Sequence, residues 1–151
     1  MNAIGEAGKK DIPDLLGLVR QYWKFEGLPG DEGRIAGVLE TLLERPERGN
    51  VWLARTEGVA AGYLLAVYVF SLEHLGLTAE IDEFFVLPEY RVRGLGSGLL
   101  QTAEAAFVEM GCTNVALQLA RDNQAARAFY QRHGYGERAG FELMDKRLAP
   151  A

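Results

Sequence analysis

Leu15, Val19 and Tyr22/Trp23 recur at the spacing of an amphipathic helix, and Ile35, Val38, Leu39, Leu42 and Leu43 repeat that stripe further on. Asp11, with Pro13 in the first turn, predicts where the first helix starts; it runs to about Phe25. "GLPG" at 27–30 breaks it, and Asp31 caps a second helix ending near Pro46. A short strand over Asn2 to Glu6 precedes both. The pattern then turns β-branched and aromatic. "NVWLART" (Asn50 to Thr56) and the run from Val59 to Phe70 are strands joined by "TEGV", where Gly58 carries the hairpin signal. The looser "SLEHLGLTA" leads into the β-rich "EIDEFFVL" (Glu80 to Leu87). Leu95, Leu99, Ala103, Ala106/Phe107 and Met110 line one face of a third helix, stopped by Gly111. "NVALQLA" is the next strand, Asn123 caps a helix through His133, and "GYGERAGFELMDKRL" closes with one or two strands. No repeat, low-complexity linker or charge block marks a second domain, so one α/β domain over 1–151 is expected.

Composition narrows the function. At 151 residues, 48% apolar and 25% charged, the chain is long enough for one sizeable core. Its longest apolar stretch, Val59 to Phe70, is too short for the roughly 20 residues of a membrane-spanning helix. The N-terminus shows neither a signal nor a transit pattern, so a cytoplasmic protein is expected. One cysteine, Cys112, excludes an internal disulfide, and with two histidines a structural metal is not expected. A net charge of −5 argues against nucleic acid as a partner and mildly favours a cationic substrate.

The chemistry gathers in "VLPEYRVRGLGSGLL", Val86 to Leu100. A strand that runs through Gly-x-Gly into a helix can aim backbone N–H groups and the positive end of the helix dipole at one anion. Arg91 and Arg93 flank those amides. A triphosphate loop would need a lysine after the glycines, and a dinucleotide fingerprint would need glycine at Leu99. A tight turn with no ligand is the other way to explain the glycines. What fits is R-x-x-G-x-G, from Arg91 through Val92, Arg93, Gly94 and Leu95 to Gly96.

This hexapeptide resembles the acetyl-coenzyme A signature of the Gcn5-related N-acetyltransferases, the GNAT superfamily. The longer pattern V-x-P-x-Y-R-x-x-G-x-G is matched from Val86 to Gly96, and N-x-x-A-x-x-x-Y-x-x-x-G-[FY] by Asn123, Ala126, Tyr130, Gly134 and Tyr135. In element order the likeness covers roughly Val51 to Leu148, and the motif is similar to those of small-amine and polyamine acetyltransferases. It implies a mixed central sheet of about 6–7 strands flanked by about four helices. The reaction it implies is attack by a primary amine on acetyl-CoA in a ternary complex, with no metal. The acceptor would be a small molecule (polyamine, amino acid, aminoglycoside) or a protein amine. A non-catalytic acetyl-CoA sensor is the alternative, and homodimers are frequent in such families.

The resemblance also implies roles. A lysine-like amine of pKa about 10.4 is neutral in only about one molecule in 2,500 at pH 7, a penalty of roughly 4.6 kcal/mol, so a carboxylate beside it helps by attracting the cation and accepting its proton. Asp82 is the favoured base, then Glu83, then Glu80; strand alternation would put Glu80 and Asp82 on one face and Glu83 on the other. Tyr130 holds the position that protonates the leaving thiolate. Phe85 and Val86 would meet the pantetheine arm through their backbone, as an added strand does. The amides from Val92 to Ser97 would hold the pyrophosphate, with Asn123 nearby or acting as a cap. The acceptor pocket is expected from the first two helices and the loop between the Val59–Phe70 and Glu80–Leu87 strands, making Tyr22, Trp23, Phe25, Glu26, Tyr68, Glu73 and His74 candidates, although core packing is the ordinary use of such aromatics.

Overall fold

The computed structural model describes residues 1–149. The chain divides into two compact units, Met1–Gln118 and Leu119–Ala151. The first is built on one five-stranded sheet in the order β1 (Asn2–Glu6), β2 (Gly49–Thr56), β3 (Val59–Ser71), β4 (Gly76–Val86) and β5 (Val115–Leu117). β1 to β4 pair antiparallel, as short connections allow. β5 joins parallel to β4 over Ala79–Ile81 after a helical crossover.

Helices α1 (Ile12–Glu26) and α2 (Glu32–Leu43) bring the stripes read from the sequence to one face of the sheet. There Leu15, Leu18, Val19 and Leu39 pack with Val51, Leu53, Tyr63, Leu65 and Phe85. The other face belongs to α3 (Leu95–Glu109), which buries Leu95, Leu99, Leu100, Ala103 and Phe107. Trp52 of β2 sets its ring edge-on to Phe107, with centroids 5.6 Å apart. Being covered on both faces is why β3 reads as an almost unbroken apolar run. Each fully buried leucine contributes about 1.5–3 kcal/mol over the same side chain exposed. Asp31 caps α2 by accepting from the Arg34 amide at 3.2 Å. Asp11 at the start of α1 instead accepts from the Gly8 amide at 2.9 Å and from Arg55 at 3.0 Å.

β4 begins at Gly76, inside the stretch expected to be loose, because residues 76–78 pair with 69–71 to lengthen the hairpin. The expected 6–7 strands are five: β5 is three residues long, and no strand forms after α4 (Gln124–Arg132) among the described residues. The chain there turns at Gly140 with φ 90°. Its large apolar side chains stay in solvent, Phe141 and Leu143 at 69% and 68% exposed. A strand with no buried face has little to fix its register.

In the second unit Asn123 caps α4, accepting from the Ala126 amide at 3.1 Å, and Gly134 at φ 89° lies just past the helix end. No helix of the described residues is long and apolar enough to cross a membrane. Cys112, half-buried at the approach to β5, has its thiol pKa pushed up by burial.

Candidate active site

The sheet is interrupted at its most acidic point. Leu65 of β3 pairs with Glu83, but the next residue, Ala66, pairs with Ile81, so Asp82 is an extra residue bulging out of β4. The bulge reverses the alternation. Ile81 lies opposite Ala66, whereas Glu83 and Phe85 lie opposite Leu65 and Tyr63 on the α1/α2 face. Glu80 lies opposite Val67, which packs on that same face. Glu83 was expected on the opposite face from Asp82 and Glu80; the extra residue returns it to theirs.

Two elements then take hold of Glu83. The Trp23 indole Nε1, from α1, donates to its Oε2 at 2.7 Å, and the Tyr63 hydroxyl, from β3, donates to its Oε1 at 2.8 Å. Burial raises the pKa of Glu83, the neighbouring Asp82 charge adds to this, and the two hydrogen bonds pull it back down. Asp82 remains exposed at the bulge, yet partial desolvation raises its pKa as well. Tyr22 sits edge-on to Tyr63 with centroids 6.5 Å apart and 5.4 Å from Phe85. Its phenol is pushed up to about 12 by burial first, then by the charges of Glu26, Glu83 and Asp82. Tyr63, fully buried, is pushed well above the phenol range by the same desolvation and by Glu83.

Tyr22, Trp23, Glu26, Asp82 and Glu83 are thus brought together, with Glu80 on the same face. Glu73 and His74 are not. They occupy the β3–β4 hairpin tip, with His74 Nε2 4.0 Å from Glu73 and the pairing closing at Ser71 and Gly76, about 20 Å along β4 from the bulge. Tyr68 is also elsewhere: its ring packs on Phe107, 6.1 Å between centroids, on the α3 face, and its hydroxyl bonds Asn50. Tyr63 is the residue that sequence reading missed. Its signal was a hydroxyl inside the apolar stretch "VAAGYLLAV", since a fully buried tyrosine must find its O–H a partner.

At the end of β4 the chain makes a short 3-10 turn, Pro88–Tyr90, and enters α3 through two left-handed residues, Val92 at φ 64° and Gly94 at φ 80°. A β-branched residue at positive φ is strained, and Val92 is fully exposed, so core packing does not explain the strain. Left-handed residues just before a helix N-terminus turn backbone N–H groups toward one concavity, the geometry of an anion nest. Arg91 folds back from the loop: its Nε donates to the Val86 carbonyl at 2.8 Å, and its guanidinium lies 5.6 Å from the Phe85 ring centroid and 5.8 Å from that of Phe25. Arg93 stacks on Tyr90 at 5.5 Å. Phe85 is a core residue, whereas the Arg91 bond marks the Val86 carbonyl as directed out of the β3–β4 ladder. Gly98 faces Ile4 of β1, where a Cβ would fall 2.5 Å from Ile4 Cδ1.

Asn123 and Tyr130 lie on the second unit, at the start and toward the end of α4. The Tyr130 ring packs edge-on to Phe129 and Tyr135, at 5.4 and 5.5 Å. Among the described residues no group of three or more His, Cys, Asp or Glu is placed to hold a metal ion.

A mixed sheet whose fourth strand carries a bulged Asp82 beside Glu83 and runs through a glycine turn into a helix is the arrangement that the resemblance to the acetyltransferases implies. The model of the acetyltransferase (GNAT) family matches residues 14–135. The chain belongs to that family, and with it to the acetyl-CoA-dependent N-acetyltransferases. It is 32% identical over 130 residues to an uncharacterized N-acetyltransferase of Archaeoglobus fulgidus, covering 84% of this chain and 88% of that one. It is 28% identical over 138 residues to the uncharacterized N-acetyltransferase YhfO of Bacillus subtilis, covering 91% and 92%. Among solved structures it superposes with a TM-score of 0.82 on an aminoglycoside antibiotic 6'-N-acetyltransferase of Acinetobacter baumannii, at 26% identity and covering 99% and 100% of the two chains.

Proposed function

We propose that the protein acetylates a primary amine on a small cationic molecule, a polyamine, an amino acid or an aminoglycoside, rather than a protein amine. The observation that carries this is the β4 bulge, which gathers Asp82 and Glu83 beside Tyr22. The charges that raise the Tyr22 pKa are all carboxylates, Glu26, Glu83 and Asp82. Aromatic faces with unneutralised acids suit an organic cation. The likeness to an aminoglycoside acetyltransferase points the same way.

The loop fits acetyl-CoA: the nest over Val92 and Gly94 and the α3 N-terminus suit its pyrophosphate, with Arg91, Arg93, Leu95, Gly96 and Ser97 around it. The outward backbone of Val86 suits its extended arm, and Asn123, which caps α4, is the further cofactor contact that the family likeness implies. When bound, acetyl-CoA supplies the thioester that the amine attacks. Asp82 takes the ammonium proton, and Glu83 holds the cation or is the second choice of base. Tyr130 gives a proton to the departing sulfur. We treat residues 1–151 as one such domain, because the family match runs through both units. A sensor without catalysis would not need two desolvated carboxylates on a bulge, since burying charge is costly.

Thiol release from acetyl-CoA, measured across polyamines, amino acids, aminoglycosides and lysine peptides, tests this. Turnover with a small polycation is expected. Turnover confined to peptides would overturn the small-molecule assignment, and tight acetyl-CoA binding with no turnover on any amine would leave the sensor.

A further inference from the structure

We infer that Tyr63 and Trp23 are positioning residues that lock Glu83 as a fixed anchor for the acceptor's ammonium group, leaving proton removal to Asp82. The inference rests on the amine-acceptor reading above and divides the labour of two adjacent carboxylates that the sequence leaves interchangeable.

The donors come from different elements and neither can turn away. Indole N–H is a donor only. The Tyr63 hydroxyl lies in the core, fully buried, and its raised pKa keeps the proton on its oxygen. One donor engages each Glu83 oxygen, Oε2 from Trp23 and Oε1 from Tyr63. Each oxygen keeps a second lone pair, but a proton on either would weaken the charge-assisted hydrogen bonds that Glu83 accepts, about tenfold or more in the equilibrium. Glu83 is therefore a carboxylate held still, which is what an ammonium ion needs from an anchor. Asp82 has the opposite properties. It is exposed at the bulge, and among the described residues no side-chain hydrogen bond holds it.

The remaining groups facing Glu83 agree. From α1 comes Tyr22, whose phenol stays protonated, and from β4 comes Asp82. None of these is a cation. An acceptor ammonium between Glu83 and Asp82 could keep its contact with the first while its proton passes to the second, giving neutral amine and protonated Asp82. The face of Tyr22 or Trp23 could take up part of the charge.

The test uses Tyr63→Phe, which keeps the buried ring and removes the hydroxyl, and Trp23→Phe, at a half-buried position, as a second variant in case the first folds poorly. With neamine and spermidine as acceptors, either variant should raise the amine KM about tenfold while kcat stays within about threefold and the acid limb of the kcat profile stays in place. A fall in kcat at unchanged KM, or a moved acid limb, would make Glu83 the base and overturn the inference; so would kinetics identical to wild type.

A spectroscopic readout separates this from failure of the acceptor reading. In a Trp52→Phe background Trp23 is the one indole left. Its emission, followed from about pH 3 to 8, should report the Glu83 titration, move to higher pH in Tyr63→Phe, and disappear in Glu83→Gln. An emission midpoint unmoved by Tyr63→Phe refutes the clamp even if both amines are turned over. A moved midpoint supports it even if neither is.

Discussion

The Nε of Arg91 donates to the carbonyl oxygen of Val86 at 2.8 Å. The signature arginine is thereby folded back onto the strand end that precedes it, its guanidinium stacked near both Phe85 and Phe25. A lysine cannot reproduce a planar donor that bonds through Nε while stacking on rings. Arg91→Ala and Arg91→Lys should therefore both raise the KM for acetyl-CoA, by about five- to tenfold, as read by initial rates at saturating amine. Full recovery by lysine would show that only a point charge is needed.

Asp82→Asn removes the proposed base with little change in volume. We expect turnover to fall by about 10²- to 10⁴-fold. Because wild-type Asp82 has a raised pKa, the acid limb of its pH profile should lie above the ordinary carboxylate range. The variant should lose that limb and climb with pH as the free-amine fraction grows. A profile of wild-type shape at a reduced rate would remove Asp82 from proton transfer.

Tyr130→Phe keeps the ring that packs on Phe129 and Tyr135 and deletes only the hydroxyl. Loss of a general acid predicts a fall of about 10²-fold or more in thiol release. It should be measured where rates are independent of solvent viscosity, so that chemistry and not product release is observed. Full activity under those conditions would exclude Tyr130 as the acid.

The glycines separate packing from binding. At Gly62 a Cβ would lie 2.8 Å from the Phe85 carbonyl oxygen and 3.2 Å from the Val86 Cα, both backbone atoms that cannot move aside. At Gly98 it would meet only the tip of the Ile4 side chain. Gly62→Ala should cost about 3 kcal/mol in urea unfolding, and Gly98→Ala about 1 kcal/mol, the upper and lower ends of the overpacking range. Gly98→Ala should leave the KM for acetyl-CoA unchanged. That would confirm that the third glycine of "RGLGSG" serves the contact between α3 and β1 and not the anion.

What the sequence concealed follows from these same residues. Helical stripes and caps were legible because burial of one face and an Asp at the start leave local traces, and α1, α2 and α3 lie within a few residues of expectation. The bulge left none. "EIDEFF" contains no glycine or proline to mark it, and only the pairing of Leu65 with Glu83 and Ala66 with Ile81 reveals that Asp82 is extra. Tyr68 and Tyr63 are both tyrosines of β3, yet their odd five-residue separation puts them on opposite faces, one against Phe107 and the other against Glu83. The one or two strands expected in "GYGERAGFELMDKRL" do not form because Phe141 and Leu143 find no buried face to pair against.

The two classes of carboxylate should be separable by the pH dependence of stability. Asp11 has a lowered pKa, chiefly from the Gly8 amide and also from Arg55, so its contribution is present above the unfolded value and is lost as pH falls through the folded one. Asp82 has a raised pKa from desolvation. Its sign is reversed: protonation favours the folded state, the relative gain is complete below the unfolded pKa, and it disappears as pH rises through the folded pKa. At pH 7 the ionised Asp82 is therefore a burden that function retains. Asp82→Asn should melt at a higher temperature than wild type near pH 7, with the difference shrinking toward about pH 4 as the wild-type group protonates. Asp11→Asn should melt lower at pH 7, with its deficit shrinking on acidification below that same region. Melting curves of both variants between pH 3 and 8 check the pair of signs. An Asp82→Asn variant less stable than wild type at pH 7 would mean that the carboxylate forms a favourable partnership in the fold and is not held there for the acceptor.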